Sequence, residues 1–378
     1  MRERIILAHD YQEGSASSNR VLGFAKGYCD HGKEVIVMLY DPSGKQSLRL
    51  DKVEVHFFSE PQLKVKVLRR VIGIYKYVKA IKKVYIPHIT FIHIYRTPWW
   101  GFLFSRKKYN FVFERGEIPF YSDSSSLAYR LQEYLGIKVS KHATGMLVQT
   151  YSLKDYYTKI GIKNIEVINM FVDIERFKNL PIDRSEKFIA YCGTICKHKD
   201  GVDDLIKAFS LVYQKHKNYK LMLIGGFEAI YNDEAYLRGL VEELGLTECV
   251  FFTGRVKPNE ITGMLANASI LALARPINKQ TQYGFPTKLG EYLCTGNPIV
   301  ITDVGEIDMY MKDHVNCVIA QPDNYKDFAE KLLWAVENYD EARKLGEAGR
   351  SLVDSDFSIP AQTNKAIDFM ERVSNPVI

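Results

Sequence analysis

The residues best suited to chemistry lie in the run Tyr283-Gly284-Phe285-Pro286-Thr287-Lys288-Leu289-Gly290-Glu291-Tyr292-Leu293-Cys294-Thr295-Gly296-Asn297-Pro298-Ile299-Val300. Gly284 lets a loop backbone approach a ligand closely, and Pro286 suits the first turn of a helix, whose amides have no partner inside it. Lys288 and Glu291, three residues apart, share a face, so a cation sits near the free amides with a carboxylate behind it. Such a set meets a phosphate and a ribose. The plainer reading is an ordinary helix with an i,i+3 ion pair. Gly296 ends the helix before Pro298-Ile299-Val300 begins a strand.

This segment resembles the donor-site helix of glycosyltransferase family 4, a GT-B group of retaining enzymes, in a branch common in surface-polysaccharide synthesis. Glu291 matches the second Glu of the family motif, which binds the ribose hydroxyls of the donor nucleotide. Tyr283 stands where the first Glu is expected, so the resemblance leaves the backbone of Gly284, Phe285 and Pro286 to hold the sugar, with Thr287 and Leu289 beside them. A second stretch, Phe188 to Ile206, is similar to the family's strand, Gly-Arg turn and Lys-Gly helix entry. It sets Gly193 at the turn, Thr194 at the arginine position and Lys199 at the lysine that clamps the diphosphate. Lys288 is expected to make up the charge missing at Thr194. A lysine that neutralises a departing diphosphate stabilises the transition state more than the ground state, and no metal is then required. Phe251-Phe252-Thr253-Gly254-Arg255-Val256 resembles the loop beside the nucleotide base, which makes Arg255 and Val256 donor contacts. Leu223-Ile224-Gly225-Gly226 resembles a strand-to-glycine turn. These pieces span residues 145 to 320.

The first half carries a looser resemblance. Glu13-Gly14-Ser15-Ala16-Ser17-Ser18-Asn19 follows an opening strand without a G-x-G-x-x-G. Gly14 and Ser15 there form either an anion-binding turn or a solvated turn with Ser17 or Ser18 as N-cap. Phe113-Glu114-Arg115-Gly116-Glu117-Ile118-Pro119 follows another strand; Arg115 and Glu117 are acceptor-site candidates, with a surface salt bridge as the alternative. His93 and His142 read as structural histidines. From residue 64 to 83, Lys64, Lys66, Arg69, Arg70, Lys76, Lys79, Lys82 and Lys83 interleave with apolar residues and no acid. With Trp99-Trp100-Gly101-Phe102-Leu103-Phe104 following, the expectation is a peripheral face on an anionic membrane or, more plainly, a solvated cationic helix. No nucleic-acid-binding module accompanies the charge.

The elements that position these residues follow from patterning. The chain has 378 residues, 46% hydrophobic and 25% charged, with a net charge of +6, enough for two domains and outside the disordered classes. Strand candidates are 5–8, 34–38, 53–57, 89–94, 111–113 and 145–149, then 188–192, 220–224, 250–252, 270–273, 298–301 and 316–319, separated by helical patterns. Val202, Leu205, Ile206, Phe209 and Val212 make one apolar helical stripe. Residues 167–177, followed by a polar run, read as the interdomain crossing. The domains are placed at 1–180 for the acceptor, 181–355 for the nucleotide sugar, and 356–378 as a C-terminal helix crossing back. The opening apolar run, Ile5 to Ala8, is far short of a signal-peptide core, and no stretch approaches the roughly 20 residues of a membrane span. Six cysteines without a Cys-x-x-Cys pair read as reduced and mostly buried, and a cytoplasmic protein is expected.

The resemblance implies an α/β GT-B fold, two Rossmann-like domains with parallel sheets facing a central cleft. It further implies transfer of a sugar, with retention, from a UDP- or GDP-sugar to a glycan or lipid-linked acceptor that attacks the face the diphosphate leaves. No cofactor is expected. The alternatives are a GT-B nucleotide-sugar epimerase, a two-domain sugar-binding protein and a degenerate sugar-nucleotide-binding subunit.

Overall fold

The computed structural model describes residues 3–12, 14–44, 48–96, 99–104, 108–120, 127–228 and 231–374; Glu13 of the opening turn lies outside them. The chain divides into two compact units, residues 1–171 with 359–378, and residues 172–358. The first passage between them therefore falls ahead of residue 180.

In the first unit, seven strands form one parallel sheet: β1 (Arg4–Asp10), β2 (Glu34–Tyr40), β3 (Glu54–Phe58), β4 (Thr90–Tyr95), β5 (Asn110–Arg115), β6 (Gly145–Val148) and β7 (Ile165–Val167). Their order is β3-β2-β1-β4-β5-β6-β7. The strands are apolar on both faces, as a sheet covered on both sides must be. Ile5 and Leu7 of β1 and Val35 and Val37 of β2 pack under the helices Ala16–Asp30 and Ile359–Val373. Ile6, Ala8, Ile36 and Met38 point the other way, onto Ile74, Tyr77, Val78 and Ile81 of the helix Lys66–Val84. Trp100 and Phe104 of the aromatic run after β4 join that second core, while Phe102 is exposed. Strand β7 was not among the strand candidates: its three residues run straight into the stretch read as a crossing.

The second unit repeats the plan with β8 (Lys187–Cys192), β9 (Tyr219–Ile224), β10 (Val250–Gly254), β11 (Ile270–Leu273), β12 (Ile299–Thr302) and β13 (Val318–Ala320), ordered β10-β9-β8-β11-β12-β13 and all parallel. The expected stripe Val202, Leu205, Ile206, Phe209 and Val212 is fully buried along the helix Val202–Lys215. In such sheets the strand order reverses at one point, and the crevice beyond the strands' carboxyl ends there is where ligands bind. Here that point lies between β8 and β11. Among the described residues no helix is long and apolar enough to cross a membrane.

Candidate functional site

At the carboxyl end of β8, Gly193 opens a turn that runs through the short helix Lys197–Asp200 to Gly201. Gly201 has φ 60°, and a Cβ there would lie 1.8 Å from the carbonyl oxygen of Ala274, so only glycine allows the turn to press against the end of β11. That contact buries Asp200 beside Arg275, the residue that follows Ala274. Arg275 is itself buried; its Nε donates to the Lys199 carbonyl at 3.5 Å and its Nη1 to the Gly284 carbonyl at 3.3 Å. One guanidinium thus ties the Lys199 turn to the Gly284 loop.

The helix entered from that loop is Lys288–Thr295, with Thr287 as N-cap and no side-chain cap bond. Pro286 therefore precedes the helix instead of occupying its first turn; its carbonyl accepts from the Leu289 amide at 3.1 Å. Lys288 reaches back to β8, where its Nζ donates to Asp200 Oδ2 at 2.5 Å and to the Tyr191 hydroxyl at 3.2 Å, and that hydroxyl donates to the same Asp200 oxygen at 2.7 Å. Burial pushes the Asp200 carboxyl upward, but Lys288, Arg275 and Lys199 outweigh it and hold the group below its ordinary value. Lys199, Lys288, Gly193 and Gly284 are therefore brought together at the switch point, around two buried charges, Asp200 and Arg275, that the sequence reading did not single out. A charged residue two positions beyond a buried parallel strand, as in Ile270 to Arg275, is the signal that points to Arg275.

Lys288 and Glu291 do not partner each other. Glu291 Oε1 accepts from Arg176 Nη1 at 2.7 Å, and Arg176 stands in the 3-10 turn Ile174–Phe177, within the same unit. Phe285 is a core side chain, packed against the rings of Tyr310 and Phe357, which leaves its backbone to face a ligand, whereas Leu289 is fully buried and its amide is already bonded to Pro286. Tyr283 ends the helix Lys279–Tyr283 and is half-buried, while Thr287 is exposed. Thr194 donates through Oγ1 to Glu228 at 3.2 Å, and its carbonyl accepts from Tyr191. Arg255 is exposed and lies over Gly226, with Val256 half-buried beside it.

In the first unit, Gly14 (φ 72°) and Ser15 follow β1, and the N-cap of the helix Ala16–Asp30 is Ser15, which accepts from the Ser18 amide at 3.2 Å. Ser18 is instead buried, its hydroxyl 3.1 Å from His9 Nε2. Arg115, the last residue of β5, pairs with Glu133 of the helix Leu127–Ser140, so its charge is met inside the unit; Glu117 is half-buried in the turn beyond it. His93 is structural, between the Tyr28 hydroxyl at 3.0 Å and Glu114 at 2.9 Å, whereas His142 is exposed in the turn after the helix Leu127–Ser140. Arg20 pairs with Glu114 and donates to the carbonyls of Ile168 and Asn169, completing a buried network.

Comparison with known proteins matches the same region. Residues 172–352 fit the family model described as glycosyl transferases group 1. An uncharacterized glycosyltransferase from Methanocaldococcus jannaschii is 24% identical over 230 residues, which span 57% of this chain and 55% of that protein. Sucrose-phosphate synthase from Thermosynechococcus elongatus superposes with a TM-score of 0.77 at 16% identity, over 98% of this chain and 99% of the other. HepE from Anabaena, in complex with UDP and glucose, superposes with a TM-score of 0.76 at 16% identity, over 98% and 100%. The chain has the two-sheet fold of the GT-B glycosyltransferases, and the unit that holds the Lys199 and Lys288 cluster is the one that matches the glycosyl transferases group 1 model.

Proposed function

We propose that the protein is a retaining glycosyltransferase of the family 4 kind, whose second unit holds a nucleoside diphosphate sugar and whose first unit binds a glycan or lipid-linked acceptor. The observation that carries this reading is the convergence of Lys199, Lys288 and Arg275 with the Gly193 turn and the loop of residues 284–287, at the carboxyl ends of β8 and β11. Three cations around one carboxylate leave an excess positive charge where a diphosphate would leave, and Arg275 contributes the guanidinium that Thr194 lacks. The acceptor hydroxyl bonds to the anomeric carbon as the bond to the phosphate oxygen breaks, and the acceptor's proton passes to the departing phosphate. Glu291, steadied by Arg176, receives the ribose hydroxyls. The UDP and glucose bound to HepE support a UDP-sugar donor. Tyr283, which has no carboxylate, favours one second reading, a subunit that binds sugar nucleotides without turning them over.

The acceptor side is proposed to rest on an anionic membrane surface. Along the helix Lys66–Val84, Val67, Leu68, Val71 and Tyr75 are exposed beside Lys66, Arg70, Lys76 and Lys79, a pairing of apolar and basic side chains suited to a lipid headgroup layer.

The test is donor turnover and thermal shift with purified protein and a panel of UDP- and GDP-sugars. UDP is expected to raise the melting temperature, since a ligand that binds only the folded state stabilises it. Lys199→Ala should lower kcat by about 100-fold or more, and Glu291→Ala should act mainly on the donor KM. Binding without turnover selects the second reading, and no response to any nucleoside diphosphate removes both.

A further inference from the structure

Lys288 is partly buried at the proposed donor site, its side chain 14% exposed, and such surroundings favour loss of the ammonium proton. The groups that face it are Asp200 and Lys199 of the turn after β8, Arg275 after β11, Tyr191 and Cys192 of β8, and Cys196. Glu291, on its own helix, is engaged by Arg176. Among the described residues Asp200 is therefore the one acid in direct contact with the ammonium, at 2.5 Å, and it is fixed from three further sides: by the Tyr191 hydroxyl, by Arg275 Nε at 3.8 Å and by the Gly201 turn locked against Ala274. The site is also built to admit the lysine tip, because a Cβ on Gly193 would lie 2.5 Å from Lys288 Nζ.

We propose that Asp200 is a positioning residue, whose carboxylate keeps the Lys288 ammonium charged and holds it at the carboxyl end of β8. The role of that ammonium toward a diphosphate rests on the function proposed above; the hold of Asp200 on it does not. Burial pushes the Lys288 ammonium below its ordinary value, Asp200 opposes that push, and Lys199 and Arg275 add to it. Loss of the carboxylate removes the opposing influence and leaves the other two.

The decisive measurement is the titration of Lys288 in the full-length protein, followed by NMR of 13Cε-labelled lysine and assigned with Lys288→Arg. In Asp200→Asn, Lys288 is expected to lose its proton at least one pH unit lower than in wild type, which above both values is a tenfold loss of the charged form. The alkaline limb of kcat/KM should move down with it, and Lys288→Arg in the Asp200→Asn background should restore that limb, because a guanidinium keeps its proton. Identical Lys288 titrations in wild type and Asp200→Asn overturn the proposal. If Asp200→Asn does not fold, the coupling is read from the other side: in Lys288→Met the Asp200 carboxyl, followed at 13Cγ, should titrate higher, and an unchanged value overturns the proposal equally. A shifted titration in a protein that binds no nucleoside diphosphate would sink the donor-site reading and leave Asp200's role standing.

Discussion

Gly193 and Gly201, eight positions apart on the same turn, predict different phenotypes for the same substitution. Gly201→Ala sets a Cβ against the Ala274 backbone at a φ of 60°, where neither the carbonyl nor the main chain can yield, so about 3 kcal/mol or more of unfolding free energy should be lost. Gly193→Ala meets instead the far end of Lys288 at 2.5 Å, which can swing away, and the buried Tyr191 hydroxyl at 2.8 Å, at a φ of 156° that an L side chain rarely adopts. Stability should then fall as well, but by less than in Gly201→Ala because no backbone atom is struck, while UDP affinity falls about tenfold, roughly 1.4 kcal/mol of displaced ammonium. Calorimetric unfolding and UDP titration of both variants check this; a normal affinity in Gly193→Ala would detach Lys288 from the nucleotide. Of the residues here, Lys199, Lys288 and Glu291 were legible because a local motif presents each one. Their partners were not: Asp200 lies 88 positions from Lys288, and Arg176 lies 115 from Glu291, and no local spacing encodes such pairs.

At the scale of elements, β1, β4, β5 and the helix Ala16–Asp30 enclose buried charge within their hydrocarbon core. Burial pushes the Glu114 carboxyl up, yet Arg20 and His93 outweigh it and hold it below its ordinary 4.5, so the stability it supplies is present above that value and lost as pH falls through the depressed one. Burial, then the Arg96 charge, push the His9 imidazole down to about 3 from 6.5, with Glu114 opposing. The folded chain keeps His9 neutral while the unfolded chain protonates it, so stability falls as pH drops from 6.5 toward 3. Between pH 6.5 and 4.5 the slope contributed by His9 should approach about 1.4 kcal/mol per pH unit, and His9→Gln should flatten it. Glu114→Gln should cost roughly 3–5 kcal/mol at neutral pH, since the Arg20 charge is left buried without its partner. Hydrogen exchange of β1 and β5 across this range reads both effects, and an unaltered slope in His9→Gln would refute the assignment. The strands of this sheet were legible from their apolar runs. The exception, β7, offers only Ile165-Glu166-Val167, too short for its period to register, and its identity as a strand comes from pairing with β6.

For the whole molecule, the parallel double-sheet plan was readable because two α/β rhythms restart along one chain, whereas what the surface does depends on which side chains the fold leaves out. The aromatic run at 99–104 looked like part of a membrane face, yet Trp100 and Phe104 fill the core under the helix Lys66–Val84, and Lys82 lies over the rings of Phe104 and Tyr109. What stays outside on that helix is its first half, Val67, Leu68, Val71 and Tyr75, flanked by Lys66, Arg70, Lys76 and Lys79. Binding to an anionic vesicle should then separate into two parts. Each basic residue near the headgroups contributes about 1 kcal/mol and is screened by salt, so reversing Arg70, Lys76 and Lys79 to Glu should lower partitioning by at least about 100-fold at low ionic strength and remove its salt dependence. Replacing Val67, Leu68 and Val71 by Ser should weaken binding at every salt concentration, because the apolar part is not screened. Flotation with phosphatidylserine-containing vesicles across a salt series distinguishes the two. Equal recovery of wild type and the charge-reversed chain would mean that this helix is a solvated cationic surface, with the acceptor reaching its unit from solution.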